Sequence, residues 1–574
     1  MKKNVLALSI AAMVGGLGFA GVASAAVIGG LNTSGDAKTA AAASQLLQAT
    51  TGGLTLAQGG VGHALVVPYF NAQNGNATVL HLTNTDTVNG KAVKIRFRSA
   101  ANSDDLLDFQ IYLSPGDVWT GAVSANGAEG ASLVSADNTC TVPALTKNVA
   151  VPFGTRRLAP GLTDAEKANQ TREGYVEIFN MADITSATAW NADGVANSTG
   201  NRVSPLYTAT KHVNAVAPCS VAGSAARSLV DTVAVTNFTE ATAAQAGLQT
   251  PTSGLMADWY ILNVAQTTTF SGAATAIQAT GRGNFVHFPQ VNNEAVGVSA
   301  NDTTSDPLFR TANVFGQDGK AITTAALTMN YSDLPDMSTP YTGGVTDPRV
   351  QAINLTTALA ATSVTNQYAT DAIISAKTDW VFSMPTRRYN VVANYAVANS
   401  NVAYRLFTNL TQTAGGNAVQ AGNWFYPAGG TAGTAQVGAS NGAYKANGNT
   451  SVDSKGNICV LADGQKFWDR EETTSGVIPE FSPGGTTSVQ FCGEVSVLAF
   501  KDAGNSVLGA SVARTTATSG TYENGWGVLT TTNSGLGLPL IGSAFIKLEN
   551  PSARAGMSGT YGVTWPHRYT RVAP

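Results

Sequence analysis

The sequence predicts a mainly β protein, made of antiparallel, immunoglobulin-like β-sandwich domains with long Gly/Ser/Thr/Asn-rich loops and few short helices. Three observations predict it. Apolar residues alternate with polar ones in segment after segment, the period of a strand with one buried face. Charged residues make up only 12% of the 574, so the polar surface falls to Thr, Ser, Asn and Gln, which suit strands and turns better than exposed helices. Sixty glycines punctuate the chain, many in tracts between the alternating segments.

The chain opens with Lys2 and Lys3, an apolar run from Val5 to Val22, and Ala23-Ser24-Ala25. That order predicts a secretory signal peptide, residues 1–25, cut after Ala25. Residues 26–60 form a helical and Gly-rich segment, a candidate tether: Asp36 to Thr50 is Ala-rich and predicts a short helix, and TGGLTLAQGG is a spacer. A first β-rich region is expected over 61–330 and a second over 331–574.

Within the first region, HALVVPYF and NATVLHLTNTD read as strands, and Asn89-Gly90 after them predicts a hairpin turn. Next, Val93, Ile95 and Phe97 alternate with Lys94, Arg96 and Arg98, and Leu107, Phe109, Ile111 and Leu113 alternate with Asp108, Gln110 and Tyr112. Pairing the two strands puts the cations opposite Asp108, Gln110 and Tyr112, and the expectation is a wet outer face with weak cross-strand ion pairs. Ser114-Pro115-Gly116-Asp117 predicts a type II turn. GYVEIFN, LMADWYILNV, TDWVFSMP, RYNVVANYAV, VAYRLFTNLTQ, SVQFCGEVSVLAF and SAFIKLEN continue the strand pattern, with a loop tract at 427–457. Beyond the Asp36–Thr50 segment, helices are expected in LTDAEKANQTREG and AINLTTALAATSVTNQYATDAIIS.

Four cysteines in an exported chain predict two disulfides. Three pairings are open; the local one, Cys140–Cys219 and Cys459–Cys492, is favoured. A zinc site is not expected, since no C-x-x-C occurs and no histidine sits at ligand spacing from a cysteine. Calcium is the one cofactor left open. Its weak candidate ligands are Asp104, Asp105 and Asp108, with Asp333 and Asp336 as a second cluster; neither matches an EF-hand or nonapeptide loop.

No catalytic set emerges. The five histidines, His63, His81, His212, His287 and His567, are scattered. A G-x-S-x-G match at 438–442, around Ser440, lacks the strand before it and helix after it that a nucleophile elbow needs. The net charge of −3, without a basic run, offers nothing to nucleic acid. The expectation is a protein that is not an enzyme.

Several long blocks carry a resemblance. VVPYFNAQNGNATVLHLTNTD, GKAVKIRFRSAANSDDLLDFQIYLSPGDVWT, TDWVFSMPTRRYN, PLIGSAFIKLEN and GTYGVTWPHRYT, between His63 and Thr570, resemble Gram-negative cell-surface proteins of the surface-layer kind, above all those that coat nanopods, tubular extensions enclosing outer-membrane vesicles. The resemblance implies a structural role: subunits tiling into an array over the outer membrane, each copy partnering its own kind, with lipopolysaccharide or surface polysaccharide as candidate anchor. The rival expectation is an adhesin or carbohydrate-binding surface protein with Trp190, Trp468 and Trp526 as its platform. An outer-membrane channel is weaker, because its strands should be evenly spaced at about ten residues.

Overall fold

The computed structural model describes residues 26–29, 46–159, 161–188, 202–287, 289–290, 335–345, 348–390, 455–471, 489–500, 506–512, 522–531, 537–554 and 557–571, with short strand pieces at 314–315, 321–322, 392–394, 405–407, 412–414, 417–419, 444–446, 450–453 and 514–517. The signal segment with Ala25, residues 36–45 of the expected first helix, Trp190, Asp333 and the 438–442 motif lie outside the described residues.

The chain is mainly β, in sheets that are antiparallel but for the parallel pairing of Arg514–Ala517 with Val495–Phe500, as its alternation predicts. Sheet I runs Leu54–Leu56, Thr275–Ala279, Ala64–Asn71, Glu173–Ile184, Gly90–Ser99, Asp105–Leu113, Cys140–Val142 in spatial order. Sheet II runs Val151–Pro152, Ala131–Val134, Val118–Ala125, Asn76–Asn84, Leu255–Asn263, Thr268–Ala273. Their facing surfaces form one core: Leu65, Val67, Ile95, Phe97, Phe109 and Ile178 of sheet I against Leu80, Leu82, Trp119, Leu133, Trp259 and Ile261 of sheet II, with Phe109 and Trp119 at 5.7 Å between ring centres.

Sheet III centres on Lys377–Ser383, flanked by Val495–Phe500 and Ile541–Arg554, with Arg514–Ala517 and Met557–Pro566 outside them. Sheet IV runs Gly464–Asp469, Asn524–Thr530, Ala360–Ala369, the last pairing with both Leu538–Pro539 and Arg568–Arg571. Trp380, Phe382, Leu498 and Phe500 of sheet III meet Val364, Tyr368, Phe467 and Leu529 of sheet IV in a second core. The other face of sheet III is apolar too. Val381, Val495, Val497 and Phe545 belong to the first core, where Phe545 lies 5.5 to 6.4 Å from the rings of Tyr69, Trp259 and Phe270. A smaller four-stranded sheet contains Ile458–Ala462 and Val489–Cys492.

Two local expectations are corrected. The Asn89-Gly90 turn makes no hairpin: Asn76–Asn84 lies in sheet II and Gly90–Ser99 in sheet I, so the connection crosses between sheets. There Asp86 accepts the amides of Val88 (2.8 Å) and Asn89 (2.9 Å) and closes the turn with its carboxylate. The second helical candidate divides: Pro348–Leu359 is helix, but Ala360–Ala369 is strand. Its β-branched and aromatic residues alternate there, with Val364 and Tyr368 in the core.

By contrast Asp164–Gln170 is helical, started by a Thr163/Glu166 capping box. Three further helices, Pro205–Thr210, Ala225–Val235 and Glu240–Gln245, begin at Ser204, Ser224 and Thr239 caps and cover part of sheet I. Gly116 takes a φ of 69° and Asp117 donates its amide to Ser114 (3.1 Å), the turn expected there.

Candidate functional site

The register of Gly90–Ser99 against Asp105–Leu113 pairs Lys94 with Gln110 and Arg96 with Asp108, and against Glu173–Ile184 it pairs Arg96 with Glu177 and Arg98 with Tyr175. The cations and carboxylates therefore share one face of sheet I. That face is not wet: Lys94, Arg96 and Arg98 are at most 1% exposed. The expectation of a solvated face fails because distant segments lie over it. The end of the Ala225–Val235 helix reaches it, with the Ala234 carbonyl accepting the Gln290 amide (2.8 Å). Asp336 and the Arg387–Asn390 turn bring further buried charges to the layer.

Each cation has a specific partner. Lys91 Nζ donates to Asp183 (2.6 Å) and Thr252 Oγ1 (2.8 Å). Lys94 bonds Asp108 and donates to Gln290 (2.6 Å). Arg98 Nε donates to Glu177 (2.8 Å) and its Nη1 to the Ser103 carbonyl (3.1 Å), while Tyr175 donates to the other Glu177 oxygen (3.3 Å). Arg96 pairs with Asp105 at 3.3 Å, yet among the described residues none of its three guanidinium nitrogens has a hydrogen-bond partner. Arg388 donates to Asp336 (2.7 Å), and Arg387 pairs with Glu494.

Burial opposes the Asp108 charge, and Lys94 and then Arg96 outweigh it, holding the carboxyl below its usual range. Burial also draws Lys94 below its ordinary value, so the partners compete for one proton. With Gln290 donating to Asp108 as well (3.1 Å), the ion pair is the favoured form. Burial raises Glu173 although Ser511, Gln73, Tyr69 and Val512 all donate to it. Three histidines are kept neutral chiefly by burial: His63 falls to about 4, His287 to about 3 and His567 to about 3.

The sequence-predicted site residues fall into this layer or apart from it. Asp104, Asp105 and Asp108 are all buried, with Asp105 and Asp108 facing Arg96 and Lys94. Asp336 is held by Arg388. Cys140 is bonded to Cys219 and Cys459 to Cys492, the local pairing. Among the described residues the one set with ligand atoms close enough for a metal is Asp453, Cys459 and Cys492. Its sulfurs are bonded to each other and offer no thiolate, and Asp453 accepts the amides of Lys455 and Asn457 (2.9 Å each). The five histidines do not converge on one another. A cavity beside His63, Met337, Tyr341 and Gln351 has room for about a single water.

Sequence reasoning missed Glu177, Arg387, Arg388 and Glu494 as members of the ionic layer, and Asp183 as the buried partner of Lys91. Glu177 alternates with Val176 and Ile178, the pattern that marked Lys94 and Arg96, and was readable on that ground. The chemistry open to the layer is cohesion: opposed charges, closed to solvent, that fix which strand and which cover segment meet. Removing one partner from such a pair leaves a buried charge uncompensated. No helix among the described residues is long and apolar enough to cross a membrane. No family model, no curated protein and no solved structure matches the chain.

Proposed function

We propose that the mature chain is an exported structural protein that self-assembles into a surface-layer array on the outer membrane. One observation carries the reading: the molecule buries part of its scarce charge. At least seven of its 33 basic and nine of its 36 acidic residues are buried. A chain already poor in charge thereby presents still less of it outside, and weak self-repulsion favours packing against identical copies. Two disulfide pairs support an oxidising destination. The resemblance of the blocks between His63 and Thr570 to surface-layer proteins points the same way.

In this reading the chain is not an enzyme, its main partner is itself, and lipopolysaccharide or surface polysaccharide anchors the array. Heterologous contacts, repeated by every subunit, extend a sheet where closed contacts would stop at a dimer. The test is sedimentation and negative-stain microscopy of the purified mature chain, with calcium and with chelator. Ordered sheets or patches are expected, and their loss in chelator would assign calcium to the contacts. A chain that stays monomeric in both conditions overturns the proposal.

A further inference from the structure

The outward face of sheet IV is open where the charged face of sheet I is buried. Its strands alternate cleanly: Phe467, Leu529, Val364 and Tyr368 point into the second core, so Lys466, Trp468, Trp526, Val528, Thr365, Gln367 and Arg568 point out. The registers align these into rungs. Trp468 is opposite Trp526 and Trp526 opposite Gln367; Lys466, Val528, Thr365 and Arg568 follow one another across the next rung. The two indoles are stacked, 4.1 Å apart and 7° from parallel. Trp526 is 40% exposed, and Lys466, Gln367 and Arg568 are exposed as well.

From this arrangement we infer that the outer face of sheet IV is a binding platform for an acidic polysaccharide. Trp526 is stacked on Trp468 from one side, and the strand on its other side carries only the slim amide of Gln367. A pyranose ring presents C–H bonds of slight positive charge along its face, and the electron-rich face of indole attracts them as it attracts cations. Gln367, Thr365, Ser363, Thr530 and Thr570 supply amide and hydroxyl groups for sugar hydroxyls along the same surface.

Charge selects the class of glycan. Lys466 and Arg568 stand at the two ends of their rung, three strand spacings or roughly 14 Å apart. Neither has an ion-pair partner among the described residues, and no outward position of these four strands carries a carboxylate. The cations of sheet I are buried beside carboxylates, whereas these two stand exposed without one among the described residues, Lys466 lying over the Trp468 ring at 5.0 Å. Uronic acid carboxylates or sugar phosphates complement them. The inference stands apart from self-assembly and does not need it.

The test measures binding of the full mature chain to polygalacturonate, with neutral dextran as control, by calorimetry and affinity electrophoresis. Polygalacturonate is expected to bind and dextran not. Trp526→Ala should weaken binding by roughly tenfold or more. The exposed pair Lys466→Gln/Arg568→Gln, which leaves the strands and core untouched, should weaken it similarly and flatten its dependence on salt. Absence of binding, equal binding to dextran, or full binding by the double variant overturns the inference. So does a Trp526→Ala chain that loses self-association but keeps its glycan, since that would make the face a contact between copies.

Discussion

Arg98 and Glu177 show what a single residue does in this molecule. Both side chains are fully buried and bonded at 2.8 Å. Arg98→Met leaves the Glu177 carboxylate without its partner in a closed layer, and a loss of roughly 3–5 kcal/mol is expected from urea unfolding. Arg98→Met with Glu177→Leu should recover much of that loss, because the pair itself contributes little beyond an apolar match. A double variant no better than the single one would show that the layer works through more than this pair. The buried histidines set the acid response. An unfolded chain binds protons at histidine below about pH 6.5, whereas the native chain does so only near pH 3 to 4. Stability from this source is therefore complete above pH 6.5 and falls as pH drops towards 3. His287 lies against Phe238 and Phe285, and neither ring nitrogen has a hydrogen bond among the described residues. His287→Phe should remove roughly 3 kcal/mol of the stability lost between pH 7 and pH 4, read from unfolding curves at both values; equal losses in both chains would contradict this.

At the scale of elements, glycine and aromatic residues are fitted to one another across strands. Gly272 lies opposite Trp259 and Gly527 opposite Phe467; a Cβ would stand 2.6 Å from the Trp259 ring in the first case and 2.3 Å from Phe467 in the second. Each ring lies over the bare backbone of its glycine. Gly527→Val should displace Phe467 from the second core and cost roughly 1–3 kcal/mol in thermal or urea unfolding. The Cys140–Cys219 bridge ties a strand of sheet I to the segment before the Ala225–Val235 helix, across 79 residues. Replacing both cysteines by serine should cost about 4 kcal/mol, from the entropy that a loop of that length returns to the unfolded chain. Faster amide exchange in that helix would locate the effect. Strand identity was legible at this scale, since Val93 to Phe97 and Leu107 to Ile111 alternate without interruption. The Asn89-Gly90 turn was not: a turn dipeptide marks a reversal but not which sheet the next strand joins, and here Asp86 and the packing of two sheets decided it. Of the helices at 205–245, Pro205–Thr210 and Glu240–Gln245 are too short to show a 3.6-residue period, whereas Ala225–Val235 buries Val230, Val233 and Ala234 on one face and was readable on that ground.

Across the whole molecule, two β-rich regions close on one another. Phe545, from the second region, is packed among Tyr69, Trp259 and Phe270 of the first, and Glu173 accepts the amides of Ser511 (2.8 Å) and Val512 (3.2 Å). Residues 61–330 expressed alone should therefore expose this apolar surface and aggregate, and the full chain should melt in one calorimetric transition rather than two. The sequence's period-two pattern told which side chains share a face but not whether that face is wet. A solvated row and a buried ionic row read alike when the covering residues, Gln290, Asp336 and Arg388, stand some 190 to 290 positions further along the chain. The Trp468–Trp526 platform was half legible: the tryptophans could be named, but their stacking depends on two residues 58 positions apart meeting in register. The proposed assembly rests on the charge that is turned inward, at least seven basic and nine acidic side chains. The most direct measurement is electron cryotomography of native envelopes from cells with and without the chain. A periodic layer outside the outer membrane, absent when the chain is absent, is the predicted result; an envelope equally bare in both would contradict it.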